Sequence, residues 1–150
     1  MNTIAVVTGA TSGIGLATAR ALRDRGCVVY GAARHPGQEE GIRWRVCDVT
    51  DQEAFAALLQ EVRAECGRLD LLINNAGFGI SGAAEFTDNR DAKRLLEVNL
   101  FGVVNGCRAA IPLMREQGSG RIVNISSVAA PVAIPFQSWY SVSKAGVSAY

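Results

Sequence analysis

Apolar residues fall into short unbroken runs separated by longer stretches in which they recur every three or four positions. The runs Ile4 to Val7, Val28 to Ala33, Ile42 to Val49, Leu69 to Asn74 and Arg121 to Ile125 have strand length and are rich in Val, Ile and Leu. They predict five largely buried strands. Between them the spacing is helical. Ile14 to Arg25 follows the first strand, and Asp51 to Cys66 sets Phe55, Leu58, Leu59 and Val62 on one stripe, with Gly67 as its stop. A long helix is predicted from Asp88 to about Met114, kinked or loosened at Pro112 and ended by the Gly-Ser-Gly that begins at Gly118. The connection from Arg34 to Gly41 is short and turn-rich, and predicts no helix. This alternation argues for a parallel sheet with helices on both faces. No composition break marks a second domain.

Composition narrows the class. Of 150 residues 49% are apolar and 19% charged, so a core burying roughly 70% of the unfolded chain's surface is within reach. Net charge is +1 with no block of one sign, which points away from nucleic acid and membrane surfaces. No run approaches the ~18 apolar residues of a spanning helix, and the first ten residues carry no basic leader. Cys27, Cys47, Cys66 and Cys107 are widely spaced, without a histidine cluster, so neither a metal site nor a disulfide framework is expected. The reading is a soluble protein of a reducing compartment, the cytoplasm. His35, the only histidine, follows Arg34 in a loop and reads as solvated.

Two segments carry candidate chemistry. The first strand runs into Thr-Gly-Ala-Thr-Ser-Gly-Ile-Gly, Thr8 to Gly15. Glycines between a strand and a helix let the backbone approach a pyrophosphate, which the helix N-terminus attracts; they also serve plain turns. The loop lacks the Gly-Lys-Ser/Thr of a nucleoside triphosphatase. Near the other end, Tyr140 and Lys144 are one helical turn apart and share a face. A free phenol titrates at about pH 10. A cation one turn away favours the phenolate and brings proton transfer closer to neutral pH.

The spacing T-G-x-x-x-G-x-G, Asn74-Asn75-Ala76-Gly77 and Tyr140-x-x-x-Lys144, in that order, resembles the short-chain dehydrogenase/reductase family in its single-domain form. The likeness runs the length of the chain. It implies a doubly wound, Rossmann-type α/β domain over 1–150, with strands one to five present and the C-terminal part missing. It also implies roles. Gly9, Ser12, Gly13, Ile14 and Gly15 would line the pyrophosphate and adenosine ribose, Asp48 would meet the adenine edge, and Asn75, Ala76 and Gly77 would support the cofactor's centre. Asn99 would hold a water beside the lysine. Ser127, thirteen residues before Tyr140, would bond the substrate oxygen in preference to Ser126; Lys144 would hold the nicotinamide ribose and bias Tyr140, the proton donor in reduction.

Cofactor choice turns on the end of the second strand, where NAD-preferring domains place an acid. Here stand Ala33 and Arg34, and an arginine can clamp a 2′-phosphate. Ser12 offers no second cation, so the expectation of NADP over NAD rests on Arg34. The function implied is an NADP-dependent oxidoreductase interconverting an alcohol and a carbonyl. The alternative is a truncated, non-catalytic dinucleotide-binding fragment, because the chain stops ten residues after Tyr140. Such a fragment is expected to be poorly soluble and inactive, with its fifth strand left as an edge. Partners are a small-molecule substrate of unnamed identity, faintly like those of the hydroxysteroid and retinol branch, and, for a full-length relative, a second copy of the chain.

Overall fold

The computed structural model describes residues 2–150. Five strands, β1 (Ile4–Thr8), β2 (Val28–Ala33), β3 (Ile42–Val46), β4 (Leu71–Asn74) and β5 (Arg121–Asn124), form one parallel sheet in the order β3-β2-β1-β4-β5. Helices α1 (Gly13–Asp24), α2 (Gln52–Cys66), α3 (Asn89–Leu96), α4 (Gly102–Gln117) and α5 (Ser138–Ala149) lie between and after them. The α/β doubly wound expectation holds, with β3 and β5 as the edges of the sheet.

Successive strand residues point to opposite faces, and both faces are apolar. Val6, Tyr30 and Leu72 pack against Phe55, Leu59 and Val62 of α2 and Ala110 and Met114 of α4. On the other face Val7, Val29, Ile42 and Ile73 meet Ala19 of α1. Val147 of α5 closes a smaller cluster with Val103 and Cys107 of α4. The Asp51 side chain caps α2 by accepting from Ala54 N at 2.9 Å, and Gly67 ends it at φ +74°.

Three strands are shorter than their apolar runs, β5 by Ile125 alone. Cys47 and Val49 stay buried, but the ladder to β2 ends at the Ala33–Val46 pair. Leu69 is also fully buried ahead of β4, its N–H donating to Gln117 Oε1 at 2.9 Å.

The long helix departs from expectation at a different place. It continues through Pro112 to Gln117, and the break in α geometry is a π turn at Glu97–Phe101. Pro112 is exposed, as is Arg108, whose carbonyl loses its helical partner. The π turn carries the buried Asn99. Among the described residues no helix is long and apolar enough to cross a membrane, and all four cysteines are free.

Candidate active site

Every strand delivers its carboxyl end to one cleft of about 1,390 Å³, which opens where the strand order reverses between β1 and β4. That volume exceeds the roughly 300–1,000 Å³ of an ordinary small-molecule pocket. Gly9, Ser12, Gly13, Ile14, Arg34, Asp48, Asn75, Ala76, Gly77, Tyr140 and Lys144 all line it. Gly15, Asn99 and Ser127, singled out with them, do not.

The glycine turn is built by close contacts. Gly9, at φ +64°, leaves its absent Cβ position 2.9 Å from Ala76 Cα, so the turn after β1 touches the turn after β4. Gly15 faces inward: a Cβ there would strike the Gly9 carbonyl oxygen and the Asn75 amide. It serves close helix–strand packing and leaves the cleft to its neighbours. Gly13, at φ +53°, has open space in front of it at the start of α1. Ile14 is 65% exposed beside it, its apolar side chain turned to the cleft.

Thr8, the last residue of β1, organises the second turn. Its Oγ1 accepts from the backbone N–H of Asn75 and of Ala76, at 3.0 Å each, and donates to the Ile73 carbonyl at 3.4 Å. Asn75 answers with its side-chain amide, donating to the carbonyls of Thr8 at 2.9 Å and Gly9 at 3.3 Å. Thr8 opens the T-G-x-x-x-G-x-G pattern, so its position was visible in sequence while its role was not.

Asn99 acts behind the cleft wall. Its amide brackets Phe78, accepting from Phe78 N at 3.0 Å and donating to Phe78 O at 2.8 Å, and also donates to Ser143 Oγ at 3.2 Å. It thereby ties the Asn75–Gly77 turn to α5.

Tyr140 and Lys144 lie on one face of α5, with the Lys144 Nζ 6.0 Å from the Tyr140 ring centroid. Lys144 is 5% exposed, and its ammonium donates to the Ile125 carbonyl at 2.7 Å, with no carboxylate bridged to it among the described residues. Burial pushes that ammonium below the ordinary lysine range. Gly77 sits tightest against Asn99: a Cβ there would stand 3.0 Å from Asn99 Oδ1 and at an ordinary 3.7 Å from Lys144 Nζ. The two serines separate in use. Ser126 Oγ contacts the Lys144 carbonyl at 3.1 Å and Ser148 Oγ at 2.7 Å, which commits it to α5. Ser127 Oγ accepts from Ala129 N at 3.1 Å, which leaves its own proton free.

At the far end Arg34 is exposed and has no ion pair among the described residues. Asp48 Oδ1 accepts from Thr50 N at 2.9 Å and Thr50 Oγ1 at 2.8 Å. Those bonds, with smaller help from Arg34 and Arg94, hold its carboxyl below the usual range. Sequence reasoning passed over Arg94, which also lines the cleft and stacks 6.0 Å over the Phe78 ring.

The family model described as short chain dehydrogenase matches residues 3–150. The chain belongs to that family. It is 43% identical over 148 residues to a protein of Bacteroides thetaiotaomicron named 3-ketodihydrosphingosine reductase, covering 98% of this chain and 55% of that one. It is 40% identical to a cis-4-hydroxycyclohexanecarboxylate dehydrogenase of Sinomonas cyclohexanicum, over 97% of this chain and 63% of the relative. Among solved structures, a short-chain dehydrogenase from Streptomyces avermitilis superposes with a TM-score of 0.93 at 37% identity, over 99% of this chain and 58% of that one. The aldohexose dehydrogenase of Thermoplasma acidophilum, in ligand-free form, gives 0.93 at 35%, over 97% and 57%. The chain thus spans somewhat more than half the length of these relatives.

Proposed function

We propose that the cleft binds a nicotinamide dinucleotide, NADP in preference to NAD, and that the protein interconverts an alcohol and a carbonyl compound with Tyr140 as the acid/base group. The observation that carries this reading is one cleft lined both by an open glycine turn at a helix N-terminus and by a tyrosine beside a buried ammonium that no carboxylate among the described residues pairs with. The residues fit the cofactor. Gly13 leaves the first N–H groups of α1 open to a pyrophosphate, and Gly9 keeps the floor beneath it flat. Arg34 is free for a 2′-phosphate, and no acid at Ala33 repels one. Asp48 suits the adenine edge; Asn75, Ala76 and Gly77 support the cofactor's centre.

When bound, the nicotinamide supplies or accepts the hydride. The Tyr140 hydroxyl donates a proton to the carbonyl oxygen in reduction and receives it in oxidation. Lys144 favours the phenolate left behind, and its ammonium has donors to spare for the nicotinamide ribose beyond the Ile125 bond. Ser127 stands outside the cleft lining but still has a proton to offer a substrate oxygen at its edge, whereas the Ser126 hydroxyl, which does line the cleft, is bonded to α5. Asn99 keeps the wall in place through Phe78 and Ser143.

The substrate is a small alcohol or ketone with an apolar arm. On the connection that runs to the cleft-lining Gln137, and themselves outside the lining, Phe136 is 69% exposed at φ +63°, a conformation costly for a phenylalanine, and Val128 and Val132 are exposed too. The name of the Bacteroides relative, a reductase of a keto compound, is consistent with carbonyl reduction. A reducing, cytoplasmic setting fits the four free cysteines. Self-association through the π turn, α4 and α5 fits the exposed Phe101, Ile111 and Val142.

The test is NADPH consumption with a panel of aliphatic and cyclic ketones by an active polypeptide carrying this sequence. Saturable NADPH binding without turnover of any ketone would favour the alternative, a non-catalytic binding domain.

A further inference from the structure

α5 begins at Ser138 without a side-chain cap from Gln137, so the first turn, which carries Tyr140, lacks the usual hydrogen bond that steadies a helix start. Ser141 and Ser143 of the same helix supply other bonds. Ser141 Oγ accepts from the backbone N–H of Ile134 at 3.3 Å. Ser143 Oγ donates to the Tyr140 carbonyl at 2.7 Å and accepts from Asn99 Nδ2 at 3.2 Å.

Ser143 and Asn99 are both 0% exposed, so bulk water does not compete for their polar groups and each needs a partner within the protein. Each has one. The Asn99 oxygen accepts from Phe78 N, its amide hydrogens go to Phe78 O and Ser143 Oγ, and the hydroxyl hydrogen of Ser143 goes to Tyr140. A chain of donors thus runs from the π turn, anchored on the cleft wall at Phe78, to the backbone of Tyr140. The same wall meets the Tyr140 ring: the Cβ position of Gly79 lies 3.9 Å from Tyr140 Cδ2. The carbonyl that Ser143 bonds is also the one to which an α-helix directs the N–H of Lys144. One hydroxyl therefore bears on the turn that separates the phenol from the ammonium.

We propose that Ser143 is a positioning residue for the reaction: its hydroxyl, held by Asn99, fixes the backbone of Tyr140 against the cleft wall and so sets the reach of the phenol toward the substrate oxygen. The inference rests on the reading of Tyr140 as the acid/base group. Ser143 does not line the cleft, so its effect passes through Tyr140. A misplacement of about 1 Å at a reacting group can cost ~100-fold in rate, and a turn released from Asn99 is free to shift on that scale. The glycine turn at the start of α1 lies on another element and has no bond to this chain of donors.

The experiment compares ketone turnover by the parent, Ser143→Ala, Tyr140→Phe and the double variant, each in an active polypeptide carrying this sequence. Turnover is counted per NADPH-binding site, so unfolded chain does not enter. Ser143→Ala is expected to lower kcat by about 10-fold to 100-fold, with KM and the NADPH dissociation constant barely moved. In the Tyr140→Phe background the same substitution is expected to cost nothing further, because the hydroxyl it positions is gone; a general loosening of the fold would cost the same factor in both. Ser143→Cys, a weak donor of similar size, gives the same comparison at a smaller loss if the alanine variant does not fold. Parent-like turnover in Ser143→Ala, or an equal loss in both backgrounds, overturns the inference and leaves the acid/base reading standing. A parent without ketone turnover, or near-parent turnover in Tyr140→Phe, overturns both.

Discussion

Gly15 packs so closely beneath Gly9 that a methyl group on Gly15 would strike the Gly9 carbonyl oxygen. The turn after β1 is thus pressed between the first residues of α1 and the Asn75 amide, which donates to the same carbonyl. Gly15→Ala should cost about 1–3 kcal/mol of folding stability, the usual penalty for overpacking a closed site. Chemical denaturation of both proteins measures it. An unchanged midpoint would show that the turn can give way.

Gly13→Ala separates strain from crowding. Nothing lies within 4 Å of its Cβ position, yet φ is +53°. The expected cost is about 1–2 kcal/mol from the left-handed backbone alone. The new methyl also stands before the N–H groups of α1, so NADPH affinity should fall as well. A variant that binds NADPH as the parent does would remove the pyrophosphate from this helix end.

Tyr140→Phe keeps the ring and deletes the proton. In an active polypeptide carrying this sequence, turnover should fall by ~100-fold to ~10,000-fold while the NADPH dissociation constant barely moves. Near-parent turnover would assign the proton transfer to another group.

Glu39 predicts an acid dependence. Hydrogen bonds from Arg20 first, and from Arg23, lower its carboxyl from 4.5 to about 2. A carboxylate favoured in the folded state contributes stability that is whole above its unfolded value and lost as pH falls through the folded one. Glu39→Gln should therefore melt at a lower temperature than the parent at neutral pH. The gap should be small, because the pairs are at the surface, and should close between about pH 4.5 and about pH 2. A gap that persists at the acid end would point to shape, not charge, as what Glu39 supplies.

The strands were legible because parallel strands buried on both faces read as continuous apolar runs. Their ends were not, since Cys47, Val49 and Leu69 remain buried after the ladder stops and burial alone sets the pattern. The π turn at Glu97–Phe101 was invisible for a similar reason: it shifts the hydrogen bonds but not the residue types, and Asn99 is buried there to bracket Phe78. Pro112 misdirected the reading because a proline on an exposed helical face leaves its orphaned carbonyl to water. In the cleft, motif spacing identified the residues that touch open space. It could not distinguish those that act from behind, such as Gly15 and Asn99, nor see that Thr8 pins two consecutive backbone amides. His35 read as solvated, and it is exposed.

Titration of this chain with NADPH and with NADH, followed by nicotinamide fluorescence, tests most directly whether the cleft is a site for a phosphorylated dinucleotide. The expected result is saturable binding of both, with NADPH tighter by about 10-fold to 150-fold through one charge-assisted contact at Arg34, and with that margin largely erased in Arg34→Ala. Equal affinities in the parent, or no saturable binding of either nucleotide, would contradict it.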